Sequence, residues 1–251
     1  MFFDTIDYDT FRPEFTQLNT SEIRSRRKRI QDKLLDINAD IKNDMAKLNL
    51  FPHWKSENIT SLTFPCEFNH GNVGWLGVRY GRSKRAISLL NEGRESNDPF
   101  LGFQKYNCFQ IDIALDGVDM GIYHSVPNDA VDRMYVREHI DDADFQKNLG
   151  MILQNITGYN YTFSVGQPGI VSDEWKTHSF NFDAYYDGDI LKEFTKFYKT
   201  YVVDGTHSSL LYHYGRNDER IHEKEQIESE FFKHVYRLLN FYKLFSWNIN
   251  L

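Results

Sequence analysis

The chain has 251 residues, 41% of them hydrophobic and 16% aromatic, with 36 Asp plus Glu against 29 Lys plus Arg for a formal net charge of -7. A chain of this length with so many Phe and Tyr residues supports a sizeable, β-containing core and excludes a disordered protein. The negative balance argues against non-specific binding along duplex nucleic acid, which needs many phosphate contacts, while leaving a localised basic site open.

Two cysteines, Cys66 and Cys108, are too few for a disulfide framework and read as small buried residues. No run of about 18 apolar residues marks a membrane helix. The start Phe2-Phe3-Asp4-Thr5-Ile6-Asp7 carries acids where a signal peptide is apolar, so the expected setting is the cytoplasm.

The first long element opens at Asn19-Thr20-Ser21-Glu22, where Asn19 is placed to cap a helix and Glu22 to close a capping box. Ile23, Ile30, Leu34, Ile37, Ile41, Met45 and Leu48 then form one apolar stripe. The opposite face, with Arg24, Arg26, Arg27, Lys28 and Arg29 diluted by Asp32, Asp36, Asp40 and Asp44, reads as solvated. Leu50-Phe51-Pro52-His53 stops the helix.

Residues 58–68 lean towards a strand, with Pro65 pointing to an edge or bulge. After the turn cluster Asn69-His70-Gly71-Asn72 comes the strand Val73-Gly74-Trp75-Leu76-Gly77-Val78-Arg79-Tyr80, which empties into the basic turn Gly81-Arg82-Ser83-Lys84-Arg85. Two alternating runs, 108–115 and 118–124, joined through Asp116-Gly117, predict a β-hairpin.

Pro127-Asn128-Asp129 opens a helix to about residue 156, with a break near Asp141-Asp142. Residues 159–165 and 177–186 read as strands, 190–202 as a helix, and 217–245 as a long last helix. The apolar run Phe241-Tyr242-Lys243-Leu244-Phe245-Ser246-Trp247 packs against the domain or forms a homodimer seam or partner surface. With no repeat and no long linker, one α+β domain over residues 1–251 is expected, with a central, mostly antiparallel sheet flanked by the long first and last helices.

The chemistry centres on Arg79, Arg82, Lys84 and Arg85, four cations within seven residues of an acidic chain. The guanidinium fork suits phosphate or carboxylate, and Gly77 and Gly81 let the backbone come close to a ligand. Gly93-Arg94-Glu95 offers another cation, and Tyr106, Tyr123 and His124 are candidates to shape an adjacent pocket. Trp54, Trp75, Phe100, Phe103, Tyr106 and Tyr123 serve either as core or as a stacking platform.

His124, at a strand end, is a candidate acid or base, but no His or Cys spacing matches a metal site, and His207, His213 and His222 fit no ligand pattern. Asp173-Glu174-Trp175-Lys176 holds the Glu-x-Lys half of a metal-dependent nuclease or phosphodiesterase site, without the acid expected on the preceding strand. No phosphate loop, nucleophile elbow or dinucleotide fingerprint is present, and no cofactor is singled out.

The order of the long first helix, Phe51-Pro52-His53-Trp54, the Trp75 to Arg85 segment, Phe109-Gln110-Ile111-Asp112-Ile113 and Gly121-Ile122-Tyr123-His124 resembles the uncharacterised bacterial YktB-like proteins and a related family of unknown function, over about residues 20–126. The resemblance implies a compact α+β fold and carries no activity with it. The expectation from the residues is a binding module for an anionic, phosphate- or carboxylate-bearing ligand, with the metal-dependent enzyme and the protein–protein interaction protein as alternatives.

Overall fold

A computed structural model of the chain describes residues 1–52, 59–91, 105–124, 130–167, 176–184, 189–202, 205 and 207–249. Trp54, Arg94, Phe100, Phe103, Asp173, Glu174 and the 127–129 helix start lie outside the described residues. The α-helices are α1 (Thr5–Asp9), α2 (Pro13–Thr16), α3 (Ser21–Lys47), α4 (Lys84–Asn91), α5 (Val131–His139), α6 (Ala143–Ile156), α7 (Ile190–Phe197) and α8 (Lys224–Leu244). The strands are β1 (Phe51–Pro52), β2 (Trp75–Gly81), β3 (Cys108–Ala114), β4 (Gly117–Tyr123), β5 (Tyr161–Gln167), β6 (Lys176–Asn181) and β7 (His207–Gly215). They form one seven-stranded antiparallel sheet in the order β1-β2-β3-β4-β7-β5-β6, an α+β fold with a long helix near each end of the chain. No described helix is long and apolar enough to cross a membrane.

The chain divides into two compact units, the first made of Met1–Glu92, Gln110–Met120 and His213–Lys233, the second of Gly93–Phe109, Gly121–Tyr212 and His234–Leu251. In the first unit α3 buries the expected stripe, with Ile30, Leu34, Ile37 and Met45 fully enclosed. Its cap is Thr20, one residue beyond Asn19, whose side chain accepts the Ile23 amide. Tyr80 of β2 reaches α3, donating to Asn38 Oδ1 at 3.0 Å, and packs against Phe231 of α8.

The basic face of α3 is not uniformly solvated. Arg24 and Lys28 are exposed, but Arg27 is fully buried and donates to the carbonyls of Phe15, Thr16, Leu18 and Thr63. The strand expected over 58–68 is absent from its described residues: Thr60 forms a single bridge with Val78, and Glu67–Asn69 is a 3-10 turn. The cause is local. Pro65 lacks an amide, and the Asn69 side chain takes the Cys66 amide and donates to the Phe64 carbonyl, so this backbone is satisfied by a turn instead of a ladder.

The β3–β4 hairpin follows its prediction, and Gly117 lets β4 approach β7 so closely that a Cβ there would sit 1.9 Å from the Tyr214 carbonyl oxygen.

In the second unit the helix over 130–156 breaks at 140–142 as expected, and β5 pairs with β6 on one side and β7 on the other. Phe163, Phe180, Phe194, Tyr198, Phe241 and Phe245 interlock as one aromatic core, which places the apolar end of α8 inside the unit. α7 continues as a π-helical turn, Tyr198–Val202, and β6 gives way at Phe182–Ala184 to a 3-10 turn. Residues 207–215 form β7, which carries His207 and His213, and α8 starts only at Lys224, later than the expected 217. Cys108 is buried and Cys66 half-buried.

Candidate functional site

The four basic residues lie in the first unit, where β2 ends and α4 begins. Alternation along β2 turns Leu76, Val78 and Tyr80 to the α3 side and Trp75, Gly77 and Arg79 to the other. Arg79 is 4% exposed; its Nε donates to Gln110 Oε1 at 3.2 Å, and its guanidinium lies 5.8 Å from the centre of the half-open Trp75 ring. Arg82 is 5% exposed.

Ser83 then caps α4: its Oγ accepts the Ala86 amide at 3.1 Å and its carbonyl the Ile87 amide at 3.0 Å. Lys84 and Arg85 are exposed in the first helical turn. The expected basic turn is therefore a strand-to-helix junction, with two enclosed guanidiniums on the strand side and two exposed cations on the helix side.

Beside Arg79, β3 presents Gln110 and Asp112, both buried although the hairpin pattern assigns them to its polar face. The Asp112 carboxyl lies over Gly77, where a Cβ would come within 1.9 Å of Oδ1 and 2.6 Å of the Ile111 carbonyl oxygen. Oδ1 accepts no hydrogen bond among the described residues. Burial pushes the Asp112 carboxyl up to about 8, with Arg79 pulling it down and Asp119 adding to the rise.

Asp119 on β4 in turn takes Nδ1 of His213 on β7 at 2.9 Å, a bond that favours the charged imidazolium and raises its pKa. One side of the sheet in this unit thus carries a connected polar row, Trp75, Arg79, Gln110, Asp112, Asp119 and His213. Of this row the sequence pointed only to Arg79 and Trp75. The signal for Asp112 was present as a carboxylate midway along an apolar run, whereas Asp119 and His213 meet only through the pairing of β4 with β7.

Tyr106, Tyr123 and His124 belong to the second unit, where all three are buried. Both ring nitrogens of His124 are engaged, Nδ1 with Asn107 Oδ1 and Nε2 with the Tyr198 hydroxyl, each at 2.7 Å. Asn107 donates onward to the Phe245 carbonyl, and Asp132 accepts the amides of Asn107 and Trp247. Burial, reinforced by the Arg133 charge, pushes the His124 pKa down to about 3, so this ring is a neutral structural joint between β4, the Tyr198 turn and the end of α8.

Lys176 of the Glu-x-Lys motif is exposed at the start of β6. Among the described residues no group of three or more His, Cys, Asp or Glu side chains is arranged to hold a metal ion. Neither the known protein families nor the curated protein sequences contain a match to this chain.

Proposed function

We propose that the protein is a binding module for an anionic, phosphate- or carboxylate-bearing ligand, held at the β2–α4 junction by Arg79, Arg82, Lys84 and Arg85. The observation that carries this reading is that the basic run coincides with a helix start. The positive end of the α4 dipole lies at the segment that carries Lys84 and Arg85, where Ser83 already holds the Ala86 amide, and Arg79 and Arg82 come just before it in the chain. The Arg79 guanidinium, oriented by Gln110 and Trp75, loses little freedom on meeting an oxyanion, which favours binding. A cytoplasmic setting suits this reading, because small phosphorylated and carboxylated compounds abound there.

Calorimetric titration with inorganic phosphate and with citrate tests it. The double variant Lys84→Ala/Arg85→Ala, altered only at exposed positions, keeps its melting temperature and weakens binding by about tenfold, the order expected from losing two charge-assisted contacts. Wild-type protein that binds neither probe, or a double variant with unchanged affinity, overturns the reading.

A further inference from the structure

We propose that anion binding at Arg79 is linked to uptake of a proton, and that Asp112 is the residue that carries it. This rests on the anion-site reading above and adds its regulation. The geometry places the carboxyl of Asp112 over Gly77, two residues from Arg79 on the same side of β2, while Gln110, two residues from Asp112 on β3, receives the Arg79 Nε. Arg79 and Asp112 interact electrostatically. An ionised Asp112 sets a like charge beside any anion that Arg79 holds; a protonated one sets none.

The groups facing Asp112 among the described residues are Arg79 from β2 and Asp119 from β4, the latter bonded to His213 of β7. An incoming anion adds to the negative potential of Asp119 and opposes that of Arg79, which drives the enclosed carboxyl to its neutral form. The burial of Asp112 acts in the same direction, because it penalises the charged state.

The test titrates sulfate, whose charge is constant from pH 5.5 to 9.5, into the full chain. Wild-type affinity falls as pH rises through about 8, approaching tenfold per pH unit above it, as one linked proton requires. Calorimetry at pH 8 in two buffers of different ionisation enthalpy shows uptake of a fraction of a proton per sulfate, and this readout needs no variant. Asp112→Asn, which keeps the shape of the neutral acid, binds sulfate with little dependence on pH, whereas His213→Gln keeps the wild-type slope.

Binding that is independent of pH and free of proton uptake overturns the linkage while leaving the anion site standing. A slope lost in His213→Gln and kept in Asp112→Asn moves the proton to the Asp119–His213 pair and overturns the assignment to Asp112. Absence of sulfate, phosphate and citrate binding at every pH removes the anion site itself, and the linkage with it.

Discussion

Tyr198 donates its phenolic hydrogen to Nε2 of His124 across 2.7 Å, and the Phe245 carbonyl and the burial of the ring together set the direction of that bond. A carbonyl only accepts, so Asn107 turns its amide nitrogen towards it and offers Oδ1 to His124 Nδ1. Nδ1 therefore carries a ring hydrogen, and burial, which pushes the ring's pKa down to about 3, keeps Nε2 unprotonated and so an acceptor for the Tyr198 hydroxyl.

The first prediction concerns acid. The unfolded chain protonates His124 near the ordinary value of 6.5, the folded chain only near 3. Below pH 6.5 the unfolded state binds a proton that the native state does not, so stability falls as the pH drops from about 6.5 towards 3, by up to about tenfold in the folding constant per pH unit from this group. Denaturant unfolding at pH 7 and pH 5 measures it. His124→Gln, uncharged at both, shows a smaller loss between them than the wild type; an equal loss refutes the neutral-ring account.

A second prediction follows from the fit of Asp112 against Gly77. In Gly77→Ala the new methyl meets both the Asp112 oxygen and the Ile111 backbone carbonyl, and the backbone partner cannot swing away. Overpacking of this kind costs about 1–3 kcal/mol, visible as a lower urea midpoint. The companion Gly77→Ala/Asp112→Ala recovers only part of that loss, because the contact with Ile111 persists.

Salt separates the two halves of the basic junction. Lys84 and Arg85 are exposed and Arg79 and Arg82 are enclosed, so the outer pair loses its long-range pull on an anion as the screening length shrinks from about 10 Å at 0.1 M to about 3 Å at 1 M. Phosphate affinity of the wild type therefore falls several-fold over that range at fixed pH, and Lys84→Ala/Arg85→Ala is less sensitive. Equal salt slopes count against a contribution from the helix-side cations.

Local signals carried much of this fold. The stripe of α3, the Asp116-Gly117 hairpin and the break at 140–142 each depend on residues close in the chain, and each appears within a residue or two of its prediction. Other elements were hidden. The Lys84–Asn91 helix begins inside a charge run that masks the Ser83 cap, and β7, with its alternating Ser208, Leu210, Tyr212 and Tyr214, falls in the stretch between the helices predicted over 190–202 and 217–245.

Polar residues were harder still. An isolated hairpin turns Gln110 and Asp112 outward, but β3 is an interior strand of the sheet, and both are buried. The Asp119–His213 bond spans 94 residues, a separation that no local period encodes.

Arg27 gives the last prediction, because it breaks the solvated-face rule most completely. One guanidinium nitrogen bonds the Leu18 carbonyl at 2.9 Å and approaches that of Thr63 at 3.4 Å, and the other bonds Phe15 at 2.8 Å and Thr16 at 3.0 Å. These acceptors come from the α2 region and from the turn segment before β2, so a single side chain of α3 ties both connections together through their backbone carbonyls, two of which, Phe15 and Thr16, also accept the Leu18 and Val73 amides. Burial lowers the Arg27 pKa, yet the guanidinium remains charged at any ordinary pH. Arg27→Ala removes the guanidinium from all four carbonyls, leaving those of Phe15 and Thr16 with the Leu18 and Val73 amides alone, and opens a void, for an expected loss of about 3 kcal/mol or more. Arg27→Lys, with one ammonium in place of a planar fork, spans only part of the set and recovers part of the loss. Arg24→Ala, on the exposed face of the same helix, changes stability by no more than about 0.5 kcal/mol. Urea midpoints for the three variants decide the matter: an Arg27→Ala protein as stable as Arg24→Ala means that the carbonyls find other donors and that Arg27 does not hold these segments.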